Sequence, residues 1–394
     1  METLSKKLHS LVIFRNLLTR RPVKELVDLL DTDRKNTGEM ISAYAAFVNA
    51  LYECTSDLGT AIEKLICEDE NLYTRYLVEG CGEKDLLEYE LKRELNILNE
   101  VSKFDGYAER NSIGDNSLPR WKNSICDYTR SYPAWIAEIS KHGLGVYASY
   151  HMFVLDGDGE VVPIRHPDNQ RLSDLIGYER ERSQIISNVE AFLSGKPANN
   201  MLLYGDAGTG KSSTVKALGN DYAKDGLRII ELKKAQLYRI PKLMDNLSRN
   251  PLKFIIFIDD LTFGPDDSEF CDLKAILEGG VSDRGSNILI CATSNHRHMM
   301  KETMSDRTGE EINVADRIQE VISLSARFGL TVTFSRSDRD LYERIVCEMA
   351  DRAGIRYEKE ELIFKAERFA LRGGGRNPRT AKQFIDMIRS GSEI

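Results

Sequence analysis

The stretch 202-LLYGDAGTGKSSTVKAL-218 decides the fold, because it places a glycine-rich loop between an apolar run and a helix-forming segment. It matches the spacing G-x-x-x-x-G-K-S with Gly205, Gly210, Lys211 and Ser212. Glycines let consecutive backbone N–H groups wrap around a phosphate, and the N-terminus of the next helix adds its positive dipole end. Lys211 would then reach the β- and γ-phosphates, and Ser212 would bind magnesium. The alternative is an ordinary glycine-rich turn, which the flanking strand and helix disfavour.

The whole loop is therefore predicted to bind nucleotide. The residues assigned to this role are Gly205, Asp206, Ala207, Gly208, Thr209, Gly210, Lys211, Ser212 and Ser213.

Two carboxylates end the apolar stretch FIIFIDD at 254–260. Taken alone, Asp-Asp after a strand is a common turn or helix cap. One strand and one helix after a phosphate loop, however, the pattern favours a metal site. Asp259 would hold Mg²⁺ through its water shell, and Asp260 would polarise the attacking water.

A polar residue, Asn295, ends the next apolar stretch, NILICATSN. Ligands of parallel sheets bind at the carboxyl ends of the strands, so Asn295 is predicted to hydrogen-bond the γ-phosphate or the water. The alternative is an asparagine that caps the following turn. His296 and His298 follow directly. Without a carboxylate or cysteine partner, such a pair is more typical of a surface than of a metal site.

Strand-like and helix-like stretches alternate from about residue 201, which is typical of a parallel sheet with helices on both faces. Helical spacing dominates both ends of the chain, and β-rich runs flank the turn signal DGDG at 156–159. A full calcium loop is absent there, so a hairpin is predicted. The predicted domains are an N-terminal helical domain at 1–145, a hairpin and linker at 146–170, an α/β nucleotide-binding core at 171–334 and a C-terminal helical lid at 335–394.

The composition of the 394 residues, 41% apolar and 29% charged, is that of a globular chain of two or three domains. No run approaches the ~18 apolar residues of a membrane helix, and Arg15 interrupts the apolar N-terminal stretch, so we expect a cytoplasmic protein and no membrane partner. The seven cysteines form no C-x-x-C pair, which argues against a zinc site or a disulfide framework. The net charge of −8 does not indicate non-specific nucleic-acid binding, although a local basic patch remains possible.

The order of these motifs, followed by "SLSARFG" and "GRNPRTAKQF", resembles that of the AAA+ ATPases. "SARFGLTVTF" is similar to the segment of bacterial replication initiators that carries the arginine finger. This resemblance implies that Arg327 is offered in trans to the γ-phosphate of a neighbouring subunit, with Arg307 and Arg317 as rival fingers. "GRNPRTAKQF" resembles the sensor-2 helix of branch-migration ATPases, which implies that Arg379 contacts the γ-phosphate in cis. For each arginine, the alternative is a surface or helix-capping role.

A further segment, "DLIGYERERSQI", resembles the one that closes over adenine in these ATPases, which implies a wall of Leu175, Ile176 and Tyr178. From about residue 145 to the end, the chain looks like a family of prokaryotic AAA+ ATPases that carries only a domain-of-unknown-function label. That resemblance implies ATP binding and says little about the substrate.

Two departures from the superfamily pattern narrow the function. Strong hydrolases usually carry Asp-Glu after the strand, whereas this chain has Asp259-Asp260, so turnover is expected to be slow. Near Tyr238 there is no aromatic-apolar-glycine pore loop, which disfavours a protein unfoldase.

The sequence therefore predicts an ATPase with ATP and Mg²⁺ as cofactors. It would hydrolyse Mg-ATP at the subunit interface of a homo-oligomer and remodel or regulate a protein partner bound by the N-terminal helical domain. One alternative is an initiator-like or helicase-loader-like ATPase acting with DNA, although the 15 residues after Arg379 leave no room for an appended helix-turn-helix. Another alternative is a nucleotide switch that binds ATP and barely hydrolyses it.

Overall fold

A computed structural model describes residues 3–80, 82–114, 118–263, 268–278, 286–295 and 323–391. The chain divides into two compact units, Met1–Ser149 and Tyr150–Ile394. Among the described residues, no helix combines the length and the apolar character needed to cross a membrane.

The first unit is helical over its described residues, apart from an isolated bridge between Asp57 and Lys122. Its core is a cluster of apolar side chains around the buried rings of Phe14, Tyr44 and Phe47. Its helices are α1 (Leu4–His9), α2 (Val23–Asp31), α3 (Thr37–Cys54), α4 (Leu58–Glu68), α5 (Leu72–Glu79), α6 (Lys84–Val101), α7 (Tyr107–Ile113), α8 (Tyr128–Ala137), α9 (Ile139–His142) and α10 (Val146–Ser149).

A buried carboxylate organises one end of this unit. Glu94 on α6 is fully buried and accepts hydrogen bonds from the backbone N–H groups of residues 12, 13 and 14 at 2.6, 3.1 and 3.0 Å. Buried charges persist in proteins when they are paired and hydrogen-bonded in this way. Glu94 thereby ties the loop after α1 to the middle of α6.

The second unit is a seven-stranded sheet with helices around it. The sheet order is β2-β1-β4-β5-β6-β3-β7; the β1–β2 pair is antiparallel and every other pair is parallel. Its elements are β1 (Met152–Leu155), β2 (Val161–Pro163), α11 (Glu179–Leu193), β3 (Met201–Gly205), α12 (Lys211–Asp221), β4 (Leu227–Leu232), α13 (Ile240–Ser248), β5 (Lys253–Ile258), α14 (Ser268–Glu278), β6 (Ile288–Ser294), β7 (Leu330–Phe334), α15 (Arg339–Arg352), α16 (Lys359–Arg372) and α17 (Pro378–Arg389).

The central strands are continuous apolar runs because both of their faces are covered. Every residue of β6 is buried, as is every residue of β5 after Lys253. Parallel strands with this pattern are packed between helices. The predicted fold class, an α/β core of mainly parallel strands with helices on both faces and a C-terminal helical lid, is thus confirmed.

The segment 146–170, predicted to be a hairpin and linker, differs from that prediction in two respects. Its first part, Val146–Ser149, is the helical turn α10 rather than a strand. Its strand β1 pairs in parallel with β4 and so extends the core sheet. The apolar run Met152–Leu155 can be buried only against a neighbour, and the edge of β4 supplies one. The division into four domains remains a prediction, because the contacts separate two units only.

Helix α12, which begins at the phosphate loop, packs on the sheet through a glycine. A Cβ atom at Gly219 would come within 2.7 Å of Ile229 Cγ1 and 3.1 Å of Met152 Cε. Only a residue without a side chain allows this close approach of helix and sheet.

We therefore expect Gly219→Val to destabilise the second unit by about 1–3 kcal/mol, because the added methyl groups overpack the helix–sheet contact. Urea unfolding followed by far-UV circular dichroism measures the change. Gly157→Ala is the matched control, since a Cβ there meets no atom within 4 Å. Equal unfolding midpoints for wild type and Gly219→Val would contradict this account of the packing.

Candidate active site

The phosphate loop joins the end of β3 to the start of α12. Its first glycine, Gly205, has φ 140°, and a Cβ there would meet the carbonyl oxygen of Phe334 at 2.0 Å. Gly208 has φ 80°, in the left-handed region that favours glycine, and a Cβ there would meet Asn377 Oδ1 at 2.7 Å. Both glycines are thus required by the backbone course and by close neighbours.

The lysine of the loop is buried and fully engaged. Lys211, with 5% of its surface exposed, donates from Nζ to the carbonyl oxygens of Gly205 and Asp206, each at 2.8 Å, and to Asn295 Oδ1 at 2.9 Å. Burial lowers the pKa of Lys211, while the carboxylate of Asp206 opposes that shift. The ammonium group is therefore held by three oxygens at the carboxyl edge of the sheet.

The predicted metal ligands are adjacent. Ser212 Oγ donates to Asp259 Oδ1 at 2.5 Å. A hydroxyl and a carboxylate offer the oxygen ligands that Mg²⁺ prefers, and Mg²⁺ typically takes only one or two protein groups beside phosphates and waters. These two residues fit a magnesium ion bound together with a nucleotide.

The second aspartate is aimed by an unusual backbone conformation. Asp260 has φ 52°, one of two non-glycine residues with positive φ among those described. Its Oδ1 accepts a hydrogen bond from Asn295 Nδ2 at 2.6 Å. Since Asn295 also accepts from Lys211, the three predicted site residues form one continuous hydrogen-bonded chain.

The lid contributes to the same site through the start of α17. Asn377 Oδ1 caps this helix by accepting from Thr380 N at 2.9 Å, and Arg379 N donates to the carbonyl oxygen of Gly208 at 3.2 Å. The guanidinium of Arg379 makes no hydrogen bond or ion pair with the residues that the structure describes, and it lines the cavity. It is therefore a cation available to a ligand.

A cavity of about 550 Å³ lies over these groups. Leu175 and Ile176, which were expected to form an adenine wall, both line it. Tyr178 does not line the cavity. Its ring lies 5.5 Å from that of Phe334, and its hydroxyl group donates to the carbonyl oxygen of Ser335 at 2.7 Å. Tyr178 therefore packs in the apolar core next to β7.

The predicted finger, Arg327, lies outside this cavity. Its Nη2 is 2.8 Å from Oε1 of Glu278, and about a third of the arginine side chain is exposed. An arginine offered in trans belongs outside the site of its own chain, so Arg327 stays a prediction. The rivals Arg307 and Arg317, and the pair His296 and His298, lie outside the described residues.

Several lining residues were missed by the sequence analysis. Thr293 lies two residues before Asn295 on β6, and Lys382 lies one helical turn after Arg379; the strand and helix periods could have indicated them. Arg182 is 7% exposed and donates from Nη2 to the Leu175 carbonyl oxygen at 2.9 Å, and its burial lowers its pKa. The other missed lining residues are Asp168, Gln170, Asp174, Met349 and Pro378.

Comparison with known proteins places this site within a family. Residues 148–392 match the model of the family described as "Protein of unknown function (DUF815)". Among curated proteins, the chain is 29% identical over 178 residues to the replication factor C large subunit of Pyrococcus abyssi, covering 41% of this chain and 35% of that protein. It is 37% identical over 71 residues to the replication factor C large subunit of Staphylothermus marinus, covering 18% and 16%. The chain thus spans about a third or less of these relatives' length.

Two solved structures are also similar. One is the Thermotoga maritima RuvB Holliday junction branch migration motor, with 17% identity and a TM-score of 0.38 over 56% of this chain and 64% of that chain. The other is DnaA from Aquifex aeolicus bound to AMPPCP, with 19% identity and a TM-score of 0.40 over 57% and 66%.

The lid cap provides a test of how α17 is held against the phosphate loop. We expect Asn377→Ala to cost about 1 kcal/mol of stability, as does loss of other helix N-caps. It should also speed amide exchange at Arg379, whose N–H is held by Gly208. Hydrogen exchange read by mass spectrometry measures this.

Asp338→Ala is the matched control. Asp338 caps α15 by accepting a hydrogen bond from Leu341 N at 2.8 Å. The Asp338→Ala variant should therefore lose a similar amount of stability, with unchanged amide exchange at Arg379. Equal exchange at Arg379 in both variants would show that Asn377 has no special relation to the loop.

Proposed function

The chain belongs to the family described as "Protein of unknown function (DUF815)", and we propose that it is an ATPase that binds Mg-ATP in this cavity and hydrolyses it. The observation that carries the proposal is the chain of contacts from Lys211 through Asn295 to Asp260, beside the Ser212–Asp259 pair. The groups that would bind phosphate, hold the metal and polarise the water thereby meet at one edge of one sheet. The fold is an AAA+ P-loop core with a helical lid.

The residues present account for binding. The ammonium of Lys211 would exchange the carbonyl oxygens of its own loop for phosphate oxygens, and the N-terminus of α12 would face the same phosphates. Ser212 and Asp259 would hold magnesium, which supplies neutralisation of the charge on the phosphate oxygens. Leu175 and Ile176 offer an apolar wall for the base.

The chemistry requires a group that accepts a proton from water. Asp260 is a carboxylate at the right edge, and its hydrogen bond from Asn295 aims one of its oxygens. Arg379 would approach the phosphate from the lid, since its helix is already bonded to Gly208. A cation there neutralises the charge that spreads over the transferred phosphoryl oxygens.

A second copy of the chain would complete the site through Arg327. Because Arg327 lies outside the cavity of its own chain, its guanidinium group could reach a nucleotide only in another subunit, and we therefore infer a homo-oligomer. The first unit would bind a protein partner that the ATPase remodels or regulates. Action on DNA is an alternative that the names of the replication relatives suggest.

A nucleotide switch is the second candidate function. The hydrogen bond between Asn295 Nδ2 and Asp260 Oδ1, at 2.6 Å, is the observation that favours it, because this bond occupies one of the two Asp260 oxygens that would accept a proton from water. Steady-state turnover measured against protein concentration separates the two: a rate per subunit that rises with assembly supports the ATPase, and a flat, negligible rate with tight ATP binding supports the switch.

Variants at the two ends of the hydrogen-bonded chain should separate binding from turnover. Lys211→Ala should weaken ATP binding at least about tenfold, because the phosphates lose their buried cation. Asp260→Asn should keep ATP binding and lose about 100-fold or more in turnover, because the proton acceptor is gone. Equilibrium binding and phosphate release measure the two effects.

Lys216→Ala is the matched control for the lysine, since Lys216 is also on α12 and pairs with Glu231 at 3.4 Å. It should bind and hydrolyse ATP like the wild type. Turnover of Asp260→Asn at the wild-type rate would mean that Asp260 is not the proton acceptor.

The trans role of Arg327 predicts complementation. Arg327→Ala should bind ATP normally and lose about 1000-fold in turnover, the order of effect of an arginine finger. Mixed with Asp260→Asn protein, it should recover part of the activity, because an interface between the two can pair intact groups. Arg339→Ala, which removes another exposed, ion-paired arginine, is the control. Absence of recovery at every mixing ratio would argue against a finger in trans.

A further inference from the structure

Thr293 bonds to both aspartates of the proposed site, although no role was predicted for it from the sequence. It is the last residue but one of β6, is 1% exposed and lines the cavity. A threonine hydroxyl has one donor hydrogen and two acceptor lone pairs. Here the hydroxyl donates to Asp259 Oδ1 at 2.6 Å and accepts from Asp260 N at 2.9 Å. One side chain therefore bonds to both aspartates.

The bond to Asp259 determines which carboxylate oxygen remains available. Ser212 and Thr293 both donate to Oδ1. The other oxygen, Oδ2, accepts no hydrogen bond from the residues that the structure describes. Two hydrogen bonds to one oxygen restrict rotation of the carboxylate, and Asp259 is one of the residues that line the cavity.

Thr293 also stabilises the turn at Asp260 and Leu261, whose backbone conformation is energetically unfavourable for a residue with a side chain. Asp260 has φ 52°, and such a conformation persists only where the surroundings determine it. Thr293 contacts both sides of this residue. Its hydroxyl accepts from Asp260 N, and its carbonyl oxygen accepts from Leu261 N at 2.7 Å. In this conformation the Asp260 carboxylate accepts the hydrogen bond from Asn295.

We infer that Thr293 is a positioning residue, which orients the magnesium-holding carboxylate of Asp259 and fixes the turn that aims Asp260. This inference rests on the proposed function. It differs from a purely structural role in one measurable respect: loss of the hydroxyl alters the response of the site to Mg²⁺ more than it alters nucleotide binding without metal.

The test compares Thr293→Val, which keeps the branched shape and removes the hydroxyl, with Thr293→Ser, which keeps the hydroxyl. ATP binding to the full chain is titrated in EDTA and at increasing Mg²⁺, and turnover is measured in parallel. For Thr293→Val we expect unchanged ATP binding in EDTA. The half-saturating Mg²⁺ concentration should rise about 10–100-fold and turnover should fall about 10–100-fold, as for other groups that orient metal ligands. Thr293→Ser should behave like the wild type.

Thr331→Val is the matched control, because Thr331 is an exposed residue of β7 in the same sheet. If Thr293→Val does not fold, as judged by circular dichroism, Thr293→Ala is compared with Thr293→Ser in its place, with the same expectation.

Two results would overturn the inference while leaving the proposed function standing. One is wild-type Mg²⁺ dependence in Thr293→Val, whether or not its melting temperature falls. The other is a loss of Mg²⁺ response in Thr293→Ser as large as that in Thr293→Val. If the wild type and Thr331→Val bind no ATP with or without Mg²⁺, the proposed function is wrong and the inference falls with it.

Discussion

The site depends on a buried ammonium group. Lys211 is almost inaccessible to water, and a buried charge is tolerated only where oxygens replace its hydration. Two of those oxygens belong to the loop that precedes it, and the third belongs to Asn295 at the end of β6. The loop, the first turn of α12 and the neighbouring strand must therefore hold their relative positions. The same constraint brings together the groups that are predicted to bind nucleotide and metal.

The order of the strands makes this arrangement possible. The strand before the phosphate loop, β3, lies between β6 and β7, and β6 separates it from β5. The carboxyl ends of parallel strands share one edge of the sheet, where ligands bind. Asn295 is thus placed between Lys211 and Asp260 and bonds to both, while Thr293, on the same strand, faces both aspartates.

A backbone hydrogen bond from Arg379 to Gly208 joins the lid to this edge, and Arg379 also lines the cavity. Asn377 and Arg379 lie next to Gly208, so a side chain at that glycine would collide with the start of α17. A ligand in the cavity would contact both the core and the lid. The occupancy of the cavity is therefore linked to the position of the lid helices.

Much of this site could be predicted from the sequence, because its signals are local. The loop motif needs glycines at set spacings, and buried parallel strands need continuous apolar runs that end in polar residues, so Lys211, Ser212, Asp259 and Asn295 could be named before the fold was known. The wall residues Leu175 and Ile176 were named by resemblance. The tertiary structure alone decided that Tyr178 packs on Phe334 instead, that β1 joins the sheet, and that Arg182 lines the cavity. The reason is physical: strand order and side-chain neighbours arise from contacts between segments far apart in the chain, which short-range spacing does not encode.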